Sequence, residues 1–116
     1  PIQSEYYALE GISQLLGAVR LVQARLNPGL RIGGLVVTMC DYRTNLSTRV
    51  VEEVRGYFKD QVYQTVIPRN VRLGEAPSFG QPINYYDQNS AGAVAYDALA
   101  REIIAEESNR RGTEPV

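Results

Sequence analysis

Two β-branched runs with one helix-length segment between them leave this chain few folds. The first closes the stretch LRIGGLVVTMC (30–40), and the second is VYQTVI (62–67). The first is apolar without clean alternation, which suits a strand buried on both faces, as in a parallel sheet under helices. Gly33 and Gly34 weaken its beginning, so the strand is placed at 34–40. Between the runs, Asn45 is a candidate N-cap. Val50, Val51, Val54, Tyr57 and Phe58 form one face of a helix ending at Phe58. Strand, helix and parallel strand make a crossover that is right-handed by rule.

The flanks extend this unit. PIQ (1–3) reads as the last residues of a strand, and Ser4 as the cap of the first helix. Ile12, Leu15, Leu16, Val19, Val22 and Leu26 recur at helical spacing until NPG (27–29) ends that helix. Pro68 stops the second strand. Residues 69–89 then read as one long irregular segment punctuated by APS, GQP and DQNS. Such a segment inside a compact domain usually has a function. Ser90 opens a last helix carrying Val94, Leu99, Ile103 and Ile104. The domain is therefore expected over 1–107, with 108–116 a polar, flexible tail. Three apolar helical faces exceed what two strands cover well, so either the fold is unusual or more of the sheet lies before Pro1, and the second is the expectation.

Composition excludes several chemistries. With one cysteine and no histidine among 116 residues, an intrachain disulfide, a Cys/His zinc site and histidine catalysis are all ruled out. No apolar run reaches the ~18 residues of a membrane span. Neither G-x-x-x-x-G-K-[ST] nor G-x-G-x-x-G occurs, and the single lysine, Lys59, has no glycine loop before it. The net charge is −1, yet residues 31–72 hold seven basic residues against four acidic ones. A local basic patch is what a phosphate backbone would meet.

In a parallel sheet, ligands bind outside the carboxyl ends of the strands. That rim would carry TMCDYRTN (38–45) and IPRNVRLGEAP (67–77). Arg43 and Arg72 are its candidates for holding an anion, the alternative being that they pair with Asp41 and Glu75. Asp41 reads as a turn cap rather than a metal ligand, and Met39 and Cys40 as strand-end packing. Tyr6–Tyr7 are expected over the sheet end, and Tyr85–Tyr86 at a core edge or surface rather than stacked on bases.

PIQSEYYALEGISQLL, VVTMCDYRTNLSTRVVEEVRGYF and VYQTVIPRNVRLGEAPSFGQPI together resemble the C-terminal part of ParA/Soj-type chromosome- and plasmid-partitioning ATPases, over residues 1–107. The resemblance implies an α/β fold: the C-terminal portion of a P-loop NTPase-like parallel sheet flanked by helices, with the phosphate-loop half absent. It implies a parent that binds ATP and Mg2+ at the strand ends and closes into a homodimer. That dimer would bind double-stranded DNA non-specifically, answer to a ParB-type partner and segregate DNA. The implied location is cytoplasmic and nucleoid-associated, with no membrane partner.

Carried over by residue, Arg43 in DYRTN and Arg72 in NVRL match the family's DNA-contacting arginines. Thr38, Met39, Pro68, Arg69 and Asn70 match its adenine-side wall. No catalytic or metal-binding residue is assigned. As a fragment without the phosphate loop, the chain is expected to be inactive and to hold neither ATP nor Mg2+ tightly. An unpaired sheet edge would favour self-association. Two other readings stand beside this one. A MinD-like cell-division ATPase would need a basic amphipathic C-terminal helix, whereas AREIIAEESNRRGTEPV is acidic through its helical part. A non-catalytic DNA-binding or interaction module is the other.

Overall fold

In the computed structural model, which describes residues 1–4 and 8–113, three parallel strands lie side by side in chain order. They are β1 (Ile2–Gln3), β2 (Leu35–Cys40) and β3 (Val62–Pro68). Ile2 pairs with Val37 and Gln3 with Thr38. On the other side of β2, Leu35 pairs with Val62, Val37 with Val66 and Cys40 with Pro68. Helix α1 (Ala8–Arg25) comes after β1, and α2 (Asn45–Phe58) makes the crossover from β2 to β3.

Apolar alternation places the core. Ile2, Leu35, Val37 and Val62 from the strands meet Ile12 of α1 and Val50 and Val54 of α2, all buried. The opposite face of β2 carries half-buried Val36 and Thr38, so this strand is not sealed on both sides as expected. The α1 stripe is also only partly covered: Ile12 is buried, while Leu15 and Leu26 are 60% and 80% exposed.

Local chemistry moves several expected boundaries by a residue. Thr44, not Asn45, caps α2. Its backbone is extended (φ −109°, ψ 137°) and its Oγ1 accepts the Ser47 N–H at 3.3 Å, which leaves Asn45 as the first helical residue. Pro68 is the last residue of β3 rather than the first beyond it. Its missing N–H costs nothing there, because the next amide, Arg69 N–H, donates to Cys40 O at 2.9 Å. The segment 69–89 is less irregular than expected. It holds α3 (Val71–Glu75), a 3-10 turn (Ala76–Phe79) and α4 (Ile83–Tyr86). Asn70 caps α3, Pro77 sits in the first turn of the 3-10 segment, and Gly80 ends it at φ 66°. Helix α5 (Ala91–Thr113) starts where Ser90 Oγ accepts the Ala93 N–H at 3.1 Å. It continues helical through 108–113, where a tail was expected. Tyr6 and Tyr7 lie outside the described residues.

Strand β3 bulges, since four steps from Val62 to Val66 match two steps from Leu35 to Val37. The bulge frees backbone groups that side chains then satisfy. Glu102 of α5 accepts the N–H groups of Gln64 (2.6 Å) and Thr65 (2.9 Å), and Arg55 of α2 donates to Gln64 O at 3.0 Å. Burial opposes the charged form of Glu102, but the two amide donors outweigh it and hold the carboxyl below its usual range.

Replacing Glu102 with alanine is expected to cost about 1.5–3 kcal/mol, read by urea unfolding at neutral pH, because two strand amides lose a charged acceptor. A carboxyl depressed in the folded state stabilises above its unfolded pKa, and that stabilisation fades as pH falls through the folded value. The gap between wild type and Glu102→Gln should therefore begin to narrow as pH falls below the ordinary glutamate pKa of about 4.3 and close only at lower pH, through the depressed folded value.

Candidate functional site

The carboxyl ends of the strands are fixed by two buried hydroxyls. Ser4 and Ser47 are 2% and 4% exposed. Ser4 Oγ donates to Met39 O at 3.0 Å and lies 3.3 Å from Ser47 Oγ, which accepts the Asp41 N–H at 3.2 Å. Ser4 N–H donates to Thr38 O at 3.0 Å. The hydroxyl expected to cap the first helix thus serves the end of β2. These bonds tie the ends of β1 and β2 to the first turn of α2.

They hold a strained backbone. Met39 sits at φ 53°, the left-handed region, where β2 carries one residue more than β3 between Val37 and Cys40. For a residue with a Cβ this costs roughly 1–2 kcal/mol. Such strain persists only where the surroundings over-determine it. Here the Met39 carbonyl is fixed by Ser4, and Met39 itself lines an open groove of about 640 Å³.

All five residues of the expected base-side wall line that groove: Thr38, Met39, Pro68, Arg69 and Asn70. Ile67, Val71, Leu73 and Tyr96 complete its apolar side. The volume lies within the range of small-ligand clefts, and the wall is mostly apolar with a few polar groups. Asn70 Oδ1 accepts the Arg72 N–H at 2.9 Å, so only its amide nitrogen is left for another partner. Sequence reasoning missed Tyr96, whose place on the last helix gives no hint of contact with a strand end. It also missed the support beneath the wall: a Cβ on Gly92 would stand 2.5 Å from Leu73, so the start of α5 seats against α3 only because residue 92 is glycine.

Both arginines on the rim are engaged. Arg43 Nε and Nη2 donate to the two oxygens of Asp41 at 3.0 Å each. Arg72 Nη1 donates to Glu75 Oε2 at 3.1 Å, and its Nε lies 3.5 Å from Asp87 Oδ2. Tyr86 Oη donates to the same Glu75 oxygen at 2.7 Å while its ring stacks on Phe79. Arg43 holds the Asp41 carboxyl below its ordinary range, and the Tyr86 hydroxyl, then Arg72, does so for Glu75. The pairing alternative read from charge spacing is therefore present, on side chains that remain open to solvent: Arg43 is 88% exposed and Arg72 54%. Arg69 is exposed and has no ion pair among the described residues. Cys40 is buried, and burial pushes its thiol up, away from thiolate chemistry. No cluster of three His, Cys, Asp or Glu side chains suited to a metal occurs among the described residues.

A family model described as the CobQ/CobB/MinD/ParA nucleotide binding domain matches residues 3–83. The chain is 62% identical over 105 residues to the sporulation initiation inhibitor protein Soj of Bacillus subtilis, covering 90% of the chain and 42% of that protein. It is 56% identical to the chromosome partitioning protein ParA of Myxococcus xanthus (90% of the chain, 37% of the relative). It is 54% identical to the chromosome-partitioning ATPase Soj of Treponema pallidum (95% and 44%). The chain thus spans about two fifths of the length of these curated relatives.

The match overturns part of what the resemblance implied. A nucleotide-binding-domain model aligns from residue 3, so the description of the chain as the C-terminal part only does not stand. The same finding sets aside a fold with its phosphate-loop half absent, a fragment inactive for that reason, and an inability to hold ATP or Mg2+ tightly. The physical reason lies in the rim. The matched residues take in the carboxyl ends of all three strands and most of the groove they form, which is where an α/β sheet binds its ligand.

Ser47→Ala should cost about 1–3 kcal/mol in urea unfolding, since the Asp41 amide loses its acceptor and buried Ser4 loses a partner. Thr44→Ala, which removes an exposed cap and the Thr44 Oγ1 bond to Asp41 O, should cost about 1 kcal/mol.

Proposed function

Because the chain belongs to the family of CobQ/CobB/MinD/ParA nucleotide-binding domains, we propose that it serves a DNA-segregation ATPase that partitions chromosomal or plasmid DNA. The observation that carries this reading is the shared rim, where the groove and two solvent-exposed arginines lie on consecutive strand-end loops. The groove takes the adenine base. Met39 and Pro68 provide apolar wall, and Thr38, Arg69 and Asn70 stand at its polar border. Magnesium would come with the nucleotide phosphates, and no residue is assigned to it. ATP binding supplies the closure of a homodimer in this reading. The residues named here only bind and orient.

Arg43 and Arg72 contact the phosphate backbone of double-stranded DNA without reading bases. Arginine's planar fork suits phosphate oxygens, and such contacts position a protein on DNA rather than specify a sequence. Two copies in a dimer double the contacts and raise the avidity. A ParB-type protein is the partner expected to govern hydrolysis, and the cytoplasm with its nucleoid is the place of action. Among the described residues no helix is long and apolar enough to cross a membrane.

Fluorescence anisotropy on random-sequence duplex DNA, with ATP present, tests the DNA arm. Affinity should fall steeply with salt, and Arg43→Ala with Arg72→Ala should lower the log–log salt slope by about two per protomer, hence about four for the dimer. Equal binding by wild type and the double variant would reject the assignment. For the base, a fluorescent adenine nucleotide should bind, and Asn70→Ala should weaken it by about three- to tenfold.

A further inference from the structure

Arg72 does not wait free for an anion. Its guanidinium lies between two carboxylates from different elements, Glu75 on α3 and Asp87 just after α4. Glu75 is itself fixed by the Tyr86 hydroxyl, and Tyr86 by its stacking on Phe79. The arginine also starts from a fixed backbone, since its amide donates to Asn70 Oδ1. A phosphate that takes the Nε or Nη1 donors of Arg72 therefore competes with a carboxylate, and the one at Nη1 is set in place by an aromatic pair.

We propose that Glu75 and Asp87 act as an internal competitor for the DNA phosphate at Arg72, orienting the guanidinium while holding down its affinity until DNA displaces them. The proposal rests on the reading of Arg72 as a DNA contact. Partial exposure makes the exchange feasible: Arg72, Glu75 and Asp87 are 54%, 37% and 33% exposed, and ion pairs in such settings are weak enough to be broken by a competing anion. The arrangement at Arg43 is more local: Asp41, its partner, lies two residues away in the same turn and also accepts the Arg43 backbone N–H at 3.1 Å, whereas Glu75 and Asp87 come from different elements.

The test is a double-mutant cycle on the full chain, by anisotropy with random-sequence duplex DNA at fixed salt. Glu75→Gln and Asp87→Asn keep acceptor oxygens for Tyr86 Oη and the Asn89 amide, so the fold is kept while the charge is removed. Circular dichroism melting of each variant checks this. The pair of substitutions should tighten DNA binding by about two- to tenfold. In an Arg72→Ala background the same pair should give no gain. An equal gain without Arg72 would show only a general change of surface charge and would overturn the competitor. So would unchanged or weaker binding by the double variant while Arg72→Ala alone still lowers affinity. If Arg72→Ala leaves DNA binding untouched, the underlying reading of Arg72 fails and the competitor falls with it.

Discussion

Two buried serine hydroxyls, 43 residues apart in sequence, decide where the functional rim can be. Ser4 leaves β1 and Ser47 stands in the first turn of α2, and between them they reach the backbone of Met39 and Asp41 at the end of β2. A buried hydroxyl without partners is costly, so the set is stable only when all its members are in place. That requirement fixes the end of β2 against β1 and α2 together. It also bears the left-handed Met39 backbone, which an isolated strand end would relax. The groove wall formed by Thr38 and Met39 inherits its position from this network rather than from its own packing.

The other wall is held from the opposite side of the sheet. β3 is irregular where Gln64 and Thr65 turn their amides away from β2, and Glu102 of α5 closes that gap as an extra strand would. Docking α5 on β3 then sets the start of that helix, where Gly92 lets Leu73 approach and Tyr96 reaches the groove. Stability at Glu102 and shape at the groove are thus two ends of one helix. The rim residues themselves contribute little to the core, since Arg43, Arg69 and Arg72 are all exposed.

Much of this was readable in the sequence, and the exceptions share a cause. Strands β2 and β3, helix α2 and the rim loops come from local periodicity, from Pro68 and from the NPG and GQP turns. The pairing of Arg43 with Asp41 and of Arg72 with Glu75 comes from spacings of two and three residues. The hidden contacts depend on partners far along the chain. Those of Glu102 span 37 and 38 residues, and neither these nor the Ser4–Ser47 contact has a periodic signature. The short helices in 69–89 were masked by turn residues, because Asn70, Pro77 and Gly80 start and stop helical turns as readily as they break them. Reading the chain as the C-terminal part of a larger domain rested on the resemblance of three stretches and on a missing glycine motif, whereas a nucleotide-binding-domain model matches residues 3–83.

The groove and the Arg72 site are not independent. Asn70 borders the groove with its side chain, and the same side chain accepts the Arg72 amide and starts α3. Three residues beyond Arg72, Glu75 accepts from Arg72 and from Tyr86. A ligand that draws on the Asn70 amide therefore touches the residue that sets the first turn of α3, and that turn carries both Arg72 and Leu73. In the proposed reading, the base-side and phosphate-side residues are thus joined by one side-chain cap and one helical turn.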